Sequence, residues 1–239
     1  MKGKNMYKDG LTFDQENAQT SVKSVMSGVY GWMTFALAIS GLCAYLVGTT
    51  PNLAKTLLTG GMFWVLVIAE VGLVMAISAM INKMSAALAT ALFVAYSALN
   101  GITLGFIFIA YTMESIALTF FITAGTFGAM AVVGMVTKID LSKMGSILMM
   151  ALIGLIIASI VNIFMHSSTL YWICTYAGVL IFTGLTAYDV QNIKRLCLET
   201  EGEGFEVKRK VAILGALSLY LDFINLMLYL LRIFGNRRD

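Results

Sequence analysis

Four ionisable residues stand inside long apolar runs of this chain. Glu70 interrupts VLVIAEVGLVM, Asp189 closes TGLTAYDVQN, Asp222 sits within LYLDFINL, and Arg232 ends the last run. Ionisable groups inside a membrane span are costly, face the bundle interior or water, and mark sites of transport or sensing. Asp222 is the most telling. Counted from Val211, it lies about 16 Å along a helix axis, near the midplane of a bilayer. Two carboxyls sharing a low-dielectric space do not both ionise cheaply, so a pair made of Asp189 and Asp222 would bind and release a proton as a unit. Protonated, such a pair shares a hydrogen bond that ties two helices; doubly ionised, it repels unless a cation lies between. Oxygen ligands suit Ca²⁺, but two carboxylates are far fewer than the roughly six to eight oxygens of a tight site, so Ca²⁺ held there is weak and transient.

Asp222 belongs to a pattern. Gly215, Ser218, Asp222, Asn225, Tyr229 and Arg232 follow one another at alternating spacings of three and four, which places them on one helix face. A polar stripe on a helix otherwise made of Leu, Ile and Phe must face protein or water, so this helix is expected at the centre of a bundle. The plainer reading is a hydrogen-bonded seam between helices, with Asn225 and Tyr229 as its links. A carboxylate at the midplane asks for more than a seam.

The elements that must hold these residues are apolar runs at 26–48, 62–82, 86–109, 115–136, 145–165, 169–190 and 211–233. Each is near the roughly 20 residues that cross a bilayer as a helix. The chain has 239 residues, 59% of them hydrophobic and 12% charged, with a mean hydropathy of +0.85. A water-soluble domain with a polar surface does not match that balance. The expected class is therefore all-α and polytopic, with seven transmembrane helices, the seventh central. The expected organisation is a polar tail over 1–25, a membrane domain over 26–234 and a short tail over 235–239. The first segment has no apolar core followed by a small-residue cleavage site, so it reads as a tail and not as a signal peptide.

With the N-terminus cytoplasmic, twelve of the sixteen Lys and Arg fall on the inner side, as cytoplasmic loops of membrane proteins require. Arg232, Arg237 and Arg238 are the exception, because an odd number of spans exports them. The net charge of +3 is an orientation signal and implies no nucleic acid. Gly101 with Gly105, and Gly125 with Ala129, make small-xxx-small steps expected at close helix contacts. Asn100 and Asn162 are expected to bond helix to helix, and Trp64, Tyr171 and Trp172 to lie in the interfacial aromatic belt. The 190–210 segment, rich in Glu, reads as one long solvated connection. Cys43, Cys174 and Cys197 have no metal or disulfide spacing, and His166 alone makes no metal site. Glu70 and Arg232, both placed in the outer half of the bilayer, are expected to pair.

The stretches TAYDVQ and LYLDFINLMLYLLRIFG resemble the Bax inhibitor-1 family, also called the transmembrane Bax inhibitor motif family, in its bacterial branch. The resemblance extends over the whole span region, through length, number of spans, the paired aspartates and the closing Arg-x-x-Gly. It implies a seven-helix bundle around a central seventh helix, and a Ca²⁺ leak regulated by pH through two aspartates, here Asp189 and Asp222. Arg232 occupies the family's basic position after the seventh helix and Glu70 resembles an acidic position in the second; together with Ser218, Asn225 and Tyr229 of the stripe, they are expected to support the pair. A family arginine further along the second span, which latches one aspartate, has no match here; Lys83 is the nearest base. The resemblance also implies a multi-pass protein of the bacterial inner membrane whose partners are lipid, Ca²⁺ and protons. No cofactor and no enzymatic activity are expected.

Two other classes compete. Bacterial relatives of this kind have been linked to a membrane-anchored ATP-dependent protease, so a regulatory partner of such a protease is one alternative. An intramembrane aspartyl protease also uses two aspartates on neighbouring helices, one of them in a Tyr-Asp pair. Its second motif, GxGD, and its Pro-Ala-Leu motif have no counterpart, since Pro51 is the only proline. Finally, a counting tension stands open. Asp189 falls near the inner interface and Asp222 at the midplane, so the two meet only if the sixth helix continues through VQNIKRL and sits lower, or if the seventh is displaced.

Overall fold

The structure is a computed structural model that describes the backbone of residues 2–238 and the side chains of Thr20 and residues 22–238. Its elements in order are α1 (Lys2–Thr49), α2 (Pro51–Leu57), α3 (Gly60–Met80), α4 (Ala86–Ala110), α5 (Met113–Val136), α6 (Ser142–Met165), α7 (Ser168–Glu199) and α8 (Phe205–Phe234). Seven of these are long and apolar enough to cross a membrane, the first over Val22–Thr49. The protein is thus a polytopic all-α membrane protein, and α8 is the expected seventh span. The short α2, with Pro51 in its first turn, fills the connection after the first span, where a missing N–H costs nothing.

Local chemistry sets the ends of the spans. Ser85, Thr112 and Ser167 accept the backbone N–H groups of Leu88, Ser115 and Leu170 at 3.2, 3.3 and 3.3 Å, satisfying donors that a helix start leaves open. Asn162, expected between helices, instead accepts Ser167 N at 3.0 Å and closes the α6–α7 turn. His166, left-handed at φ 52° and ψ 31°, reverses the chain there. Glu206, expected in solvent, accepts Ala86 N at 2.6 Å and caps α4. The long charged connection shrinks to residues 200–204 between α7 and α8.

α8 is the axis of the bundle. It packs against α1, α4, α5 and α7, whereas α6 packs along α7 and α3 mainly along α4. In the most apolar window of α8, 67% of residues are buried, against 6% in α6 and 11% in α3. Gly101 and Gly105 sit against α1, where a methyl on Gly101 would lie 2.6 Å from Ser40 O. Gly125 faces open space, so the expected step at Gly125 and Ala129 is not a packing seam. Gly134 against Ala187, Gly145 against Tyr188 and Gly178 against Tyr229 serve close approach instead.

The C-terminal residues are fastened to the α4–α5 turn. Thr112 N donates to Asn236 O at 3.1 Å and Arg238 N to Ala110 O at 3.0 Å. α8 therefore runs the full height of the bundle, and its arginine-rich end lies with the α4–α5 and α6–α7 turns.

Candidate functional site

Asp189 and Asp222 come together because α7 is longer than its apolar run. It continues unbroken through VQNIKRL to Glu199, which carries Asp189 inward from the helix end and level with the middle of α8. The Ser218 hydroxyl donates to Asp189 Oδ2. The two carboxyl groups are neighbours across the α7–α8 contact and border one cavity. Asp222 is 4% exposed, and its Oδ2 has no hydrogen-bond partner. A buried carboxyl oxygen without a donor is costly. No lysine or arginine lies within ion-pair distance of either aspartate among the described residues, where the one ion pair is Arg195–Glu199 at 3.8 Å.

These groups line a cavity of about 660 Å³ between α6, α7 and α8. Ser218, Asp222, Asn225, Tyr229 and Arg232 all border it, so five of the six stripe residues share one space. The sixth, Gly215, packs on Ile193 of α7 instead. Asn225 donates its amide to Leu221 O of its own helix at 2.8 Å, not to another helix. Tyr229 stacks on Phe182 with ring centres 5.9 Å apart and faces Ser159 of α6. Arg232 lies over the rings of Tyr229 and Tyr171 at 5.0 and 5.4 Å.

Glu70 is elsewhere. It accepts Thr103 Oγ1 at 2.7 Å and Asn100 Nδ2 at 3.1 Å. Asn100 Oδ1 in turn accepts the Tyr220 hydroxyl at 2.8 Å, and that hydroxyl meets Ser40 Oγ at 2.7 Å. The expected pairing of Glu70 with Arg232 is thus overturned: the carboxylate is satisfied by neutral donors on α4, and the guanidinium lies over aromatic faces.

Sequence reasoning missed Tyr188, Asn192 and Ser159 on the cavity wall. Asn192 could have been found, because it follows Asp189 by one helical turn and shares its face. It also missed Ser40 and Tyr220, whose partners lie 57 to 180 residues away and follow no local period.

The family model described as inhibitor of apoptosis-promoting Bax1 matches residues 22–239, from the first span to the end of the chain. The chain belongs to the Bax inhibitor-1 family. This member is 49% identical over 221 residues to the inner membrane protein YbhL of Escherichia coli K12, covering 92% of this chain and 94% of the relative. It is 47% identical over 231 residues to an uncharacterized protein of Borreliella burgdorferi, covering 96% and 99%. It is 39% identical over 210 residues to an uncharacterized membrane protein of Streptococcus pyogenes serotype M1, covering 87% and 90%. In this Bax inhibitor-1 protein, both YD of α7 and LYLDFINL of α8 fall on the cavity described above.

Proposed function

We propose that this protein is a pH-sensitive cation leak of the bacterial inner membrane, with Ca²⁺ as its main cargo and its N-terminus cytoplasmic. The observation that carries this reading is Asp222, buried at mid-helix with an unpartnered carboxyl oxygen beside Asp189 and a cavity at its side. A hydrogen-bonded seam would leave neither a lone oxygen nor a space. Sharing a proton, the carboxyls hold α7 to α8. Losing it, they present two negative charges that a hard divalent cation relieves. The site has too few oxygens to retain that cation, so passage is slow.

The mechanism needs titration at both positions. Wild-type protein in liposomes should pass Ca²⁺ at a rate that changes across about pH 6 to 8, whereas Asp189→Asn and Asp222→Asn should each give a nearly flat profile. Asn keeps the size and a hydrogen-bonding amide, so loss of the pH response reads titration and not shape. Variants whose flux follows pH as the wild type does would end this reading.

A further inference from the structure

The arginines that break the charge rule of membrane loops lie together in the structure. Arg232 rests over Tyr171 and Tyr229, and Arg237 is bridged through its backbone to Tyr111, in electrostatic reach of Tyr171. Both arginines therefore lie at the same end of the bundle, the one that carries the α4–α5 and α6–α7 turns. A guanidinium over a ring uses its face and leaves five N–H donors at its edge. Among the described residues, none of the Arg232 donors has a hydrogen-bond acceptor, and neither arginine has an ion-pair partner. Glu114 is the described acid at this end, and it forms no ion pair. Long basic side chains near a span end ordinarily reach outward to water; Arg232 is held instead at the mouth of the α6–α8 cavity.

The rest of that cavity supplies the second half of a binding site. α6 and α8 border it without packing along each other. Its α6 wall includes Met149, Ile156, Ile160 and Ile163 beside Leu152, Ser159 and the buried Leu155; the first four are 51–62% exposed, so that side of the cleft opens onto the apolar exterior. A cation pair at interface height above the end of this cleft lined by Ile156, Ile160, Ile163 and Phe182, away from Asp189 and Asp222, matches one kind of occupant. We propose that Arg232 and Arg237 bind the phosphodiester of an anionic phospholipid whose acyl chain lies in the α6–α8 cleft. Planar guanidiniums suit phosphate oxygens. Among the described residues no acid pairs with either arginine, which favours a net-negative headgroup over a zwitterion, which brings its own cation. This proposal does not depend on the leak reading.

The test uses the purified full-length chain in neutral detergent, titrated with phosphatidylglycerol, phosphatidylcholine or inorganic phosphate and read by native mass spectrometry. Phosphatidylglycerol should be retained over phosphatidylcholine, and Arg232→Gln and Arg237→Gln should each weaken it about fivefold. Arg237 lies beyond α8, so its variant keeps the test decisive if Arg232→Gln does not fold. Ile160→Trp, which fills the slot without touching the charges, should also weaken lipid retention. The proposal is overturned if phosphatidylcholine binds equally well, if the double arginine variant holds phosphatidylglycerol like the wild type, or if millimolar phosphate displaces the lipid, which would mark a free-anion site.

Discussion

The two faces of α8 carry opposite solutions to the same problem, a carboxyl inside a membrane span. On one face Tyr220 joins a closed network in which Glu70 receives two donors and Asn100 serves both its neighbours. Two residues on, about 200° around the helix, Asp222 faces another acid, keeps one oxygen without a donor and borders a cavity. Glu70, half-buried, is fully satisfied; Asp222, almost wholly buried, is not. Burial of a charge-bearing group therefore does not identify a site here. An unmet hydrogen-bonding need next to empty space does, because a merely structural polar group has no reason to bear that cost.

The largest effect should come from the closed face. Asn100→Leu leaves a Glu70 oxygen without its donor and the Tyr220 hydroxyl with Ser40 alone, and should lower stability by about 3 kcal/mol in reversible detergent unfolding. The pH profile of Ca²⁺ flux should keep its shape. A stable Asn100→Leu protein with a flat profile would break the comparison by moving the sensor to the Glu70 side.

On the open face the sign should reverse. Asp222→Asn offers an amide N–H to Asp189 and removes a like-charge contact, so it should stabilise the protein by about 1 kcal/mol near neutral pH while flattening the flux profile. Stability gained where response is lost is the expected mark of a site built at a cost. A loss of stability comparable to that of Asn100→Leu would instead make the aspartate pair a structural bond.

How far the sequence anticipated this contrast depends on the length scale of each feature. Span number, the central α8 and its stripe follow from local hydropathy and a period of 3.6, and both are visible in one chain. The meeting of Asp189 with Ser218 was not, because VQNIKRL is polar and hydropathy alone ends the sixth run before it. The structure extends α7 through it. Glu70 was misassigned because depth in the bilayer fixes only one coordinate. Rotation about α3 turns its carboxyl toward Asn100 and Thr103, away from Arg232. Gly125 and Ala129 failed for the same reason: a small step marks a possible contact, and only the neighbouring helix decides whether it is used.

The comparison is sharpened by the charge swap that Glu70 and Arg232 invite. Since each contacts only neutral groups, and different ones, exchanging them should rescue nothing. Glu70→Arg with Arg232→Glu should be no better than the sum of the single changes, with a coupling below about 0.5 kcal/mol in a double-mutant stability cycle. A coupling well above that would mean the two groups meet in another state of the bundle.

The smallest effect belongs to an acid outside the spans. Asp140 lies in the α5–α6 connection, fully exposed, and accepts Ser142 N at 2.9 Å. Hydrogen bonds from the Ser142 hydroxyl and backbone hold its carboxyl below the usual carboxylate range, with weaker help from Arg195 and Lys143. A group whose folded value is depressed adds stability above its unfolded value, near 3.8, and that contribution fades as pH falls through the folded one. Asp140→Asn should therefore be slightly less stable than the wild type at neutral pH, and the two unfolding curves should converge in strong acid. Solvent screens such a group, so the gap should be smaller than for either face of α8. The flux profile near neutral pH should not move, because this carboxylate stays ionised throughout that range and has water on its open side. If Asp140→Asn did flatten that profile, proton sensing would lie at the mouth of the bundle and not at its core.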